Sequence, residues 1–130
     1  MDELTRTMAA SASGMAAQAA RLRLSSENIA NVDTPGYHRK TVSFEQIMQQ
    51  GGDVRAVATG PVRLDQGELS RIYEPTNPLA GPDGYLEGSN VDLMIELADT
   101  REANRSYEAN LRMFDQARQM ASSLLDLLRR

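Results

Sequence analysis

Met8, Met15, Leu22 and Ile29 recur every seven residues, and Ala12, Ala19 and Ser26 follow the first three at a distance of four. Large side chains at one position and small ones at the other form the seam of an α-helix that lies along a second helix. Asp2 and Glu3 sit where a helix N-terminus favours negative charge. The run from Asn31 to Gly36 carries several stop signals, with Pro35 biasing Thr34 away from helical geometry. The pattern predicts one helix from about Asp2 to Asn31. At 1.5 Å rise per residue it would be roughly 45 Å long, too long for a chain of this size to cover alone, so part of it is expected to meet other chains. Gly14 costs about 1 kcal/mol relative to Ala inside a helix, which points to a close backbone approach at that position.

A second periodic stretch closes the chain. Leu93, Tyr107, Phe114, Ala121 and Leu128 share one heptad position, with Thr100 as its polar exception. Leu97, Leu111 and Leu125 lie four residues after Leu93, Tyr107 and Ala121. Ser89 and Asp92 have capping-box spacing, Asn90 is an alternative N-cap, and Arg129 and Arg130 stand where the dipole prefers cations.

Between the two, Gly51-Gly52, Gly60-Pro61, Gly67, Pro75, Pro78 and Gly81-Pro82-Asp83-Gly84 interrupt any long helix. Short apolar runs remain as strands or a hairpin: Lys40 to Phe44, Val54 to Thr59, Val62 to Leu64 and Glu68 to Glu74. The expected fold is mainly α, with long N- and C-terminal helices packed as a coiled-coil-like pair around a loop-rich, partly β insert. The chain divides into an N-terminal helical segment at 1–33, a turn-rich middle at 34–88 and a C-terminal helical segment at 89–130, the helices together forming one domain.

Composition supports helix pairing. Of 130 residues, 41% are hydrophobic but only 5% aromatic, so the apolar material is mostly Ala, Leu, Met and Val, suited to closely packed helices. A net charge of -4 argues against nucleic acid as the partner, because neutralising phosphates needs a basic face. Arg21, Arg23, Arg39 and Lys40 are the one basic cluster. Glu27, Asp33 and Glu45 offset it, and it reads as a solvated or subunit-facing surface. With no cysteine, disulfides and thiolate metal sites are excluded. The N-terminus is acidic where a secretory signal would be basic and has no continuous apolar run, so neither a signal peptide nor a membrane span is expected.

Catalytic chemistry finds little support. His38 is the only histidine, beside Arg39 and Lys40, and reads as a surface or interface residue. Asp92, Glu96, Asp99 and Glu102 form a carboxylate run on one helix and read as a solvated or partner-facing acidic stripe. The glycine pairs match no phosphate-binding pattern, and the serines of the first helix have no histidine in their neighbourhood. No metal or cofactor is expected. Two rival readings are a membrane-surface module, which would need a basic polar face in place of Ala, Ser and Gln, and a small hydrolase using the acidic stripe.

Two stretches carry a family resemblance. Asn28 to Tyr37, "NIANVDTPGY", resembles the A-N-x-x-T-P-G-Y signature of bacterial flagellar axial proteins, which build rod, hook and hook-associated segments. Tyr73 to Met120 resembles the proximal-rod members of that family through Tyr73, Glu74, Pro75, Asn77, Pro78, Ala80, Gly84, Tyr85, Asn90, Val91, Arg105, Tyr107, Ala109 and Asn110. Gly81-Pro82 and Gly88-Ser89 depart from the usual pattern. A sibling rod or hook subunit is the nearest alternative, and the block from Tyr73 to Tyr85 argues against it.

The resemblance implies a noncatalytic structural subunit of the flagellar basal-body rod, self-assembling into a helical tube that transmits torque and whose inner layer is made by the terminal helices. It implies export through the flagellum's own type III channel without a cleaved signal, and a place in the periplasm-spanning rod. The implied partners are other rod proteins, a basal-body adapter, ring components and the export apparatus, in homo- and hetero-oligomeric contacts, with no membrane insertion. The seams offer Met8, Met15, Leu22, Ile29, Tyr107, Leu111, Phe114, Leu125 and Leu128 as assembly residues. The motifs offer Asn31, Thr34, Pro35, Gly36, Tyr37, Tyr73, Asn77, Pro78 and Asn110. On this reading the Thr34-Pro35-Gly36 corner ends the inner helix and turns the chain outward, and Tyr37, Arg39 and Lys40 contact neighbours.

Overall fold

A computed structural model describes residues 2–48 and 55–129. Gly51, Gly52, Val54 and Arg130, read above as a turn, a strand start and a terminal cation, lie outside them. Among the described residues, two helices, α1 at Asp2–Ala30 and α2 at Leu93–Leu128, flank four strands in the chain: β1 at Lys40–Met48, β2 at Arg55–Leu64, β3 at Arg71–Tyr73 and β4 at Tyr85–Glu87. The helices pack side by side and antiparallel, with Asn28 facing Glu96, Arg21 facing Asp99, and Gly14 facing Asn110.

The seam between the helices is not the one that large-residue periodicity picks out. On α1 the buried residues are Ser11, Gly14, Ala17, Leu24, Ser25 and Asn28, and on α2 they are Glu96, Ala103 and Ala117. Met8, Met15, Leu22 and Ile29 are only half-buried at its flank, and Ala12, Ala19 and Ser26 are exposed. The reason is steric, because small side chains let two backbones approach and push large ones to the margins. Gly14 shows how tight the approach is: a Cβ there would stand 2.8 Å from the Asn110 amide nitrogen.

The turn after α1 is held by its own polar groups. The Asn31 amide donates to the Glu27 carbonyl at 2.8 Å, the Thr34 N–H to the Asn31 carbonyl at 3.0 Å, and the Tyr37 N–H to the Thr34 carbonyl at 3.2 Å. Gly36 adopts φ 74, a left-handed conformation that costs a side-chain-bearing residue about 1–2 kcal/mol. Its N–H donates to the Gly88 carbonyl at 3.0 Å, tying the corner to the segment that leads into α2.

β1 and β2 pair antiparallel from Lys40↔Leu64 to Met48↔Arg55, with an irregularity between Val42 and Phe44. The sequence reading split β2 at Gly60-Pro61. The structure corrects this: both residues lie inside one strand of ten, at the bulge, where a missing N–H and a missing side chain are tolerated. The hairpin lies on α1, where the Val57 N–H donates to the Ser13 hydroxyl at 3.0 Å. β3 and β4 form a second pair, Arg71↔Glu87 to Tyr73↔Tyr85, around buried Leu86. β4 follows the Gly81-Pro82-Asp83-Gly84 turn directly, and the sequence reading had no strand there.

The start of α2 is also corrected. Asp92 is the N-cap, its carboxylate accepting from the Met94 N–H at 3.0 Å. Ser89 is buried and donates to the Val32 carbonyl instead of capping. Asn90 accepts from the Arg39 N–H at 2.6 Å and donates to the Asp65 carbonyl at 3.0 Å, bracing the two long loops against each other.

Candidate assembly site

The two ends of the helix pair differ in kind. At the end where α1 stops and α2 begins, Asn28 is 1% exposed and makes four hydrogen bonds. Its amide oxygen accepts from the Lys40 N–H at 2.9 Å and from the Tyr37 hydroxyl at 2.8 Å. Its amide nitrogen donates to the Lys40 carbonyl at 2.9 Å and to Glu96 at 3.3 Å. The side chain therefore pairs with both backbone groups of Lys40, as a neighbouring strand would, and clamps the first residue of β1 onto the helices.

Glu96 is 0% exposed and bonded to the Arg39 guanidinium, which also reaches Asp99 at 2.7 Å. Asp99 in turn meets Arg21 at 3.2 Å, and Arg21 reaches Glu102 at 3.4 Å. Lys40 pairs with Glu27. The basic cluster and the acidic run, read above as solvated or partner-facing surfaces, are in large part each other's partners inside the chain. Arg39 and Lys40, expected to contact neighbours, make ion pairs within the chain.

Electrostatics follows the geometry. Burial lifts the Tyr37 hydroxyl above its ordinary range, and the nearby Glu27 charge adds to the lift. Burial opposes the Arg39 charge, but the bond to Glu96 and the fields of Glu96 and Asp99 outweigh it and raise the guanidinium further. The hydrogen bond that the Lys40 ammonium donates to the Glu27 carboxylate raises Lys40. Among the described residues, one Glu96 oxygen has no hydrogen-bond partner, nor does the buried Thr100 hydroxyl one turn along.

The opposite end is apolar and uncovered, with Leu127 and Leu128 64% and 78% exposed at the end of α2, and Met94, at the polar end, is 75% exposed on the same helix. Leu93, Leu97, Leu111 and Leu125 are also exposed, while Tyr107, Phe114 and Ala121 are half-buried. The predicted α2 stripe thus straddles the edge of the helix pair instead of filling it. Contiguous exposed apolar surface of this kind marks interaction sites on proteins.

The motif residues fall into two groups. Thr34, Pro35 and Gly36 are exposed at the corner, and Pro78 and Tyr73 are exposed on the β3–β4 unit, where the Tyr73 and Tyr85 rings sit 5.1 Å apart with the Arg71 guanidinium 4.9 Å from Tyr85. Asn31, Tyr37, Asn77 and Asn110 are half-buried and bonded within the chain, Asn77 through Glu74 and Leu79 and Asn110 through the Ser106 carbonyl. Asn28, Glu96 and Asn90 were missed as organising residues. Asn28 and Asn90 do stand in the two quoted motifs, which is the one signal that could have singled them out. Among the described residues, no cluster of His, Asp or Glu is placed to hold a metal, and no helix is long and apolar enough to cross a membrane.

The two motif-bearing parts of the chain match known families. Residues 8–38 match the family described as flagella basal body rod protein, and residues 83–127 match the flagellar basal body rod FlgEFG protein C-terminal family. These place the chain in the class of flagellar basal-body rod proteins. Relatives described as flagellar basal-body rod protein FlgC are similar over nearly the whole length. The protein of Agrobacterium fabrum strain C58 is 42% identical over 99% of this chain and 98% of its own. That of Salmonella typhimurium is 34% identical over 88% and 90%, and that of Bacillus subtilis 30% identical over 90% and 93%. The chain belongs to the FlgC family and is a structural subunit of the flagellar basal-body rod.

Proposed function

We propose that the chain assembles with other rod proteins into a helical tube that carries torque through the periplasm, its terminal helices forming a coiled-coil-like inner layer. The observation that carries this reading is the apolar surface of α2 that α1 leaves uncovered, from Met94 to Leu128. A chain that buried these leucines privately would have nothing to bind with. An interface that is not self-complementary and does not close generates a filament. The helices supply attachment, while the exposed corner at Thr34, Pro35 and Gly36 and the Tyr73, Asn77 and Pro78 face supply contacts to adjacent rod, adapter or ring components. The role is noncatalytic: of the candidate acids, Glu96, Asp99 and Glu102 are held in ion pairs with arginines and Asp92 caps α2. Export by the flagellum's own type III route belongs to the same rod-subunit reading.

Replacing Leu125 and Leu128 by Asp tests the reading. Both side chains are exposed, so the purified variant should keep its unfolding midpoint to within about 0.5 kcal/mol of stability. Cells relying on it should lose swimming and lack complete rods. Normal motility would overturn the assignment of these leucines to assembly. Gly36→Leu should cost about 1–2 kcal/mol through its left-handed backbone, leave the protein expressible and block rod assembly.

A further inference from the structure

The line of α2 residues that lies against α1 does not stop where α1 stops. Through Glu96, Ala103 and Ala117 it runs under α1 and the same seven-residue repeat continues at Leu124, while the position four residues later, half-buried at Tyr107, Phe114 and Ala121, continues at Leu128. By the register that sets Gly14 on Asn110 and Asn28 on Glu96, the first residue of α1, Asp2, lies opposite a point near Ser122. The last two turns of α2 therefore overhang the helix pair, with Leu124 42% exposed and Leu128 78% exposed. An interface already present within the chain continues past its own cover, and the residues grow from Ala to Leu where it does.

Large residues on one helix need small ones on the other if backbones are to approach as they do at Gly14. Among the described residues, an exposed stripe on α1 has that character. Ala9, Ala12 and Ala16 face outward on α1, flanked by half-buried Met8 and Met15. We infer that the C-terminal overhang of α2 docks into this outward alanine groove on α1 of a second copy, with Leu124 over Ala12 and Leu128 over Ala9. This rests on the rod-subunit reading and names the surfaces it uses.

The register carries a geometric consequence. Within one chain Leu124 lies opposite the position just before Met1, so meeting Ala12 of a like-oriented copy requires a shift of about 12 residues, or roughly 20 Å along the helix axis. Leu128 on Ala9 and Ala121 on Ala16 need about 13. One stagger thus satisfies all three contacts to within a residue, about 1.5 Å along the axis. A staggered contact between unlike faces does not close on itself and winds into a helix of subunits.

The chain has no cysteine, so paired thiols report this contact without background. Basal bodies from swimming cells carrying Ala12→Cys together with Leu124→Cys, treated with a mild oxidant, should yield disulfide-linked dimers and higher multimers of this chain. Each single variant should yield none, and neither should Ala12→Cys paired with the exposed but out-of-register Leu111→Cys. Both probe positions are exposed, so folding is not at stake. Rods that contain the double variant but give no multimers, give the same ladder with the control pair, or link this chain to a different protein would overturn the inference while leaving the rod reading intact. Absence of the chain from basal bodies of swimming cells would overturn the rod reading itself. Independently, Ala12→Leu should abolish swimming and Leu124→Ala should restore it by returning the lost space; failure of that rescue counts against the contact.

Discussion

One end of the helix pair is sealed with polar groups and the other is left apolar and open. At the sealed end Asn28, Arg39 and Glu96 hold the start of β1 against both helices, with bonds that converge from α1, the corner and α2. At the open end Leu124, Leu125, Leu127 and Leu128 have no comparable cover. The difference separates two tasks. Directional hydrogen bonds and buried charges specify one geometry, which is what a joint between a helix pair and an outward-turning hairpin requires. Apolar area is non-directional and tolerates a neighbour arriving at assembly. Stability should therefore be sensitive at the sealed end and assembly at the open one.

Arg39→Ala should show the largest effect on stability. It leaves the Glu96 carboxylate fully buried with Asn28 as its remaining partner, and breaking a buried pair from one side costs about 3–5 kcal/mol. Urea unfolding followed by circular dichroism would measure it. A loss below about 1 kcal/mol would mean that water or another cation reaches Glu96 and that this end is not sealed. Asn28→Ala comes next. It strips partners from both backbone groups of Lys40 and from the Tyr37 hydroxyl, for a loss of roughly 3 kcal/mol. Amide exchange at the Lys40 N–H should accelerate in the same variant, because the clamp on β1 is gone.

Legibility in the sequence followed the range of each interaction. Both helices and the corner were readable, because periodicity, N-terminal acids and the Pro-Gly stop act within a few residues. The face that each helix buries was not. Met8, Met15 and Leu22 look like a core by size, whereas close approach puts Ser11, Gly14 and Ala17 there instead. Gly14 was the one residue whose cost hinted at this. The pairing of Arg39 with Glu96 joins positions 57 residues apart, and neither local sequence differs from that of a solvated charge. β4 has only three residues behind a turn and acquires its identity from pairing with β3, which no local pattern reveals.

Gly14→Ala sharpens the comparison midway between the two ends. The added methyl would meet the Asn110 amide at 2.8 Å, an overpacking cost of about 1–3 kcal/mol, while the gain in helix propensity returns about 1 kcal/mol. A net loss near 1 kcal/mol is expected. In an Asn110→Ala background the same change should reverse sign and stabilise, since only the propensity gain remains. If Gly14→Ala destabilises equally in both backgrounds, the close approach is not what places glycine there.

The smallest effect is a pH dependence confined to the sealed end. Tyr37 and Lys40 both have proton affinities raised in the folded chain, Tyr37 first by burial and Lys40 first by its bond to Glu27. A raised group holds its proton in the fold at pH values where the unfolded chain has released it. Its stabilisation is therefore complete below the unfolded value, near pH 10 for Tyr and 10.5 for Lys, and is lost as pH rises through the folded one. Stability should be level near neutrality and decline above about pH 10. Tyr37→Phe removes the hydroxyl bonded to Asn28, costing about 1 kcal/mol at neutral pH, and leaves only the Lys40 part of the alkaline decline. Urea midpoints from about pH 8 to 11 would resolve the two slopes. An unchanged slope in the phenylalanine variant would assign the whole decline to groups outside the Asn28 clamp, and with it weaken the claim that this end of the molecule is held shut by buried polar bonds.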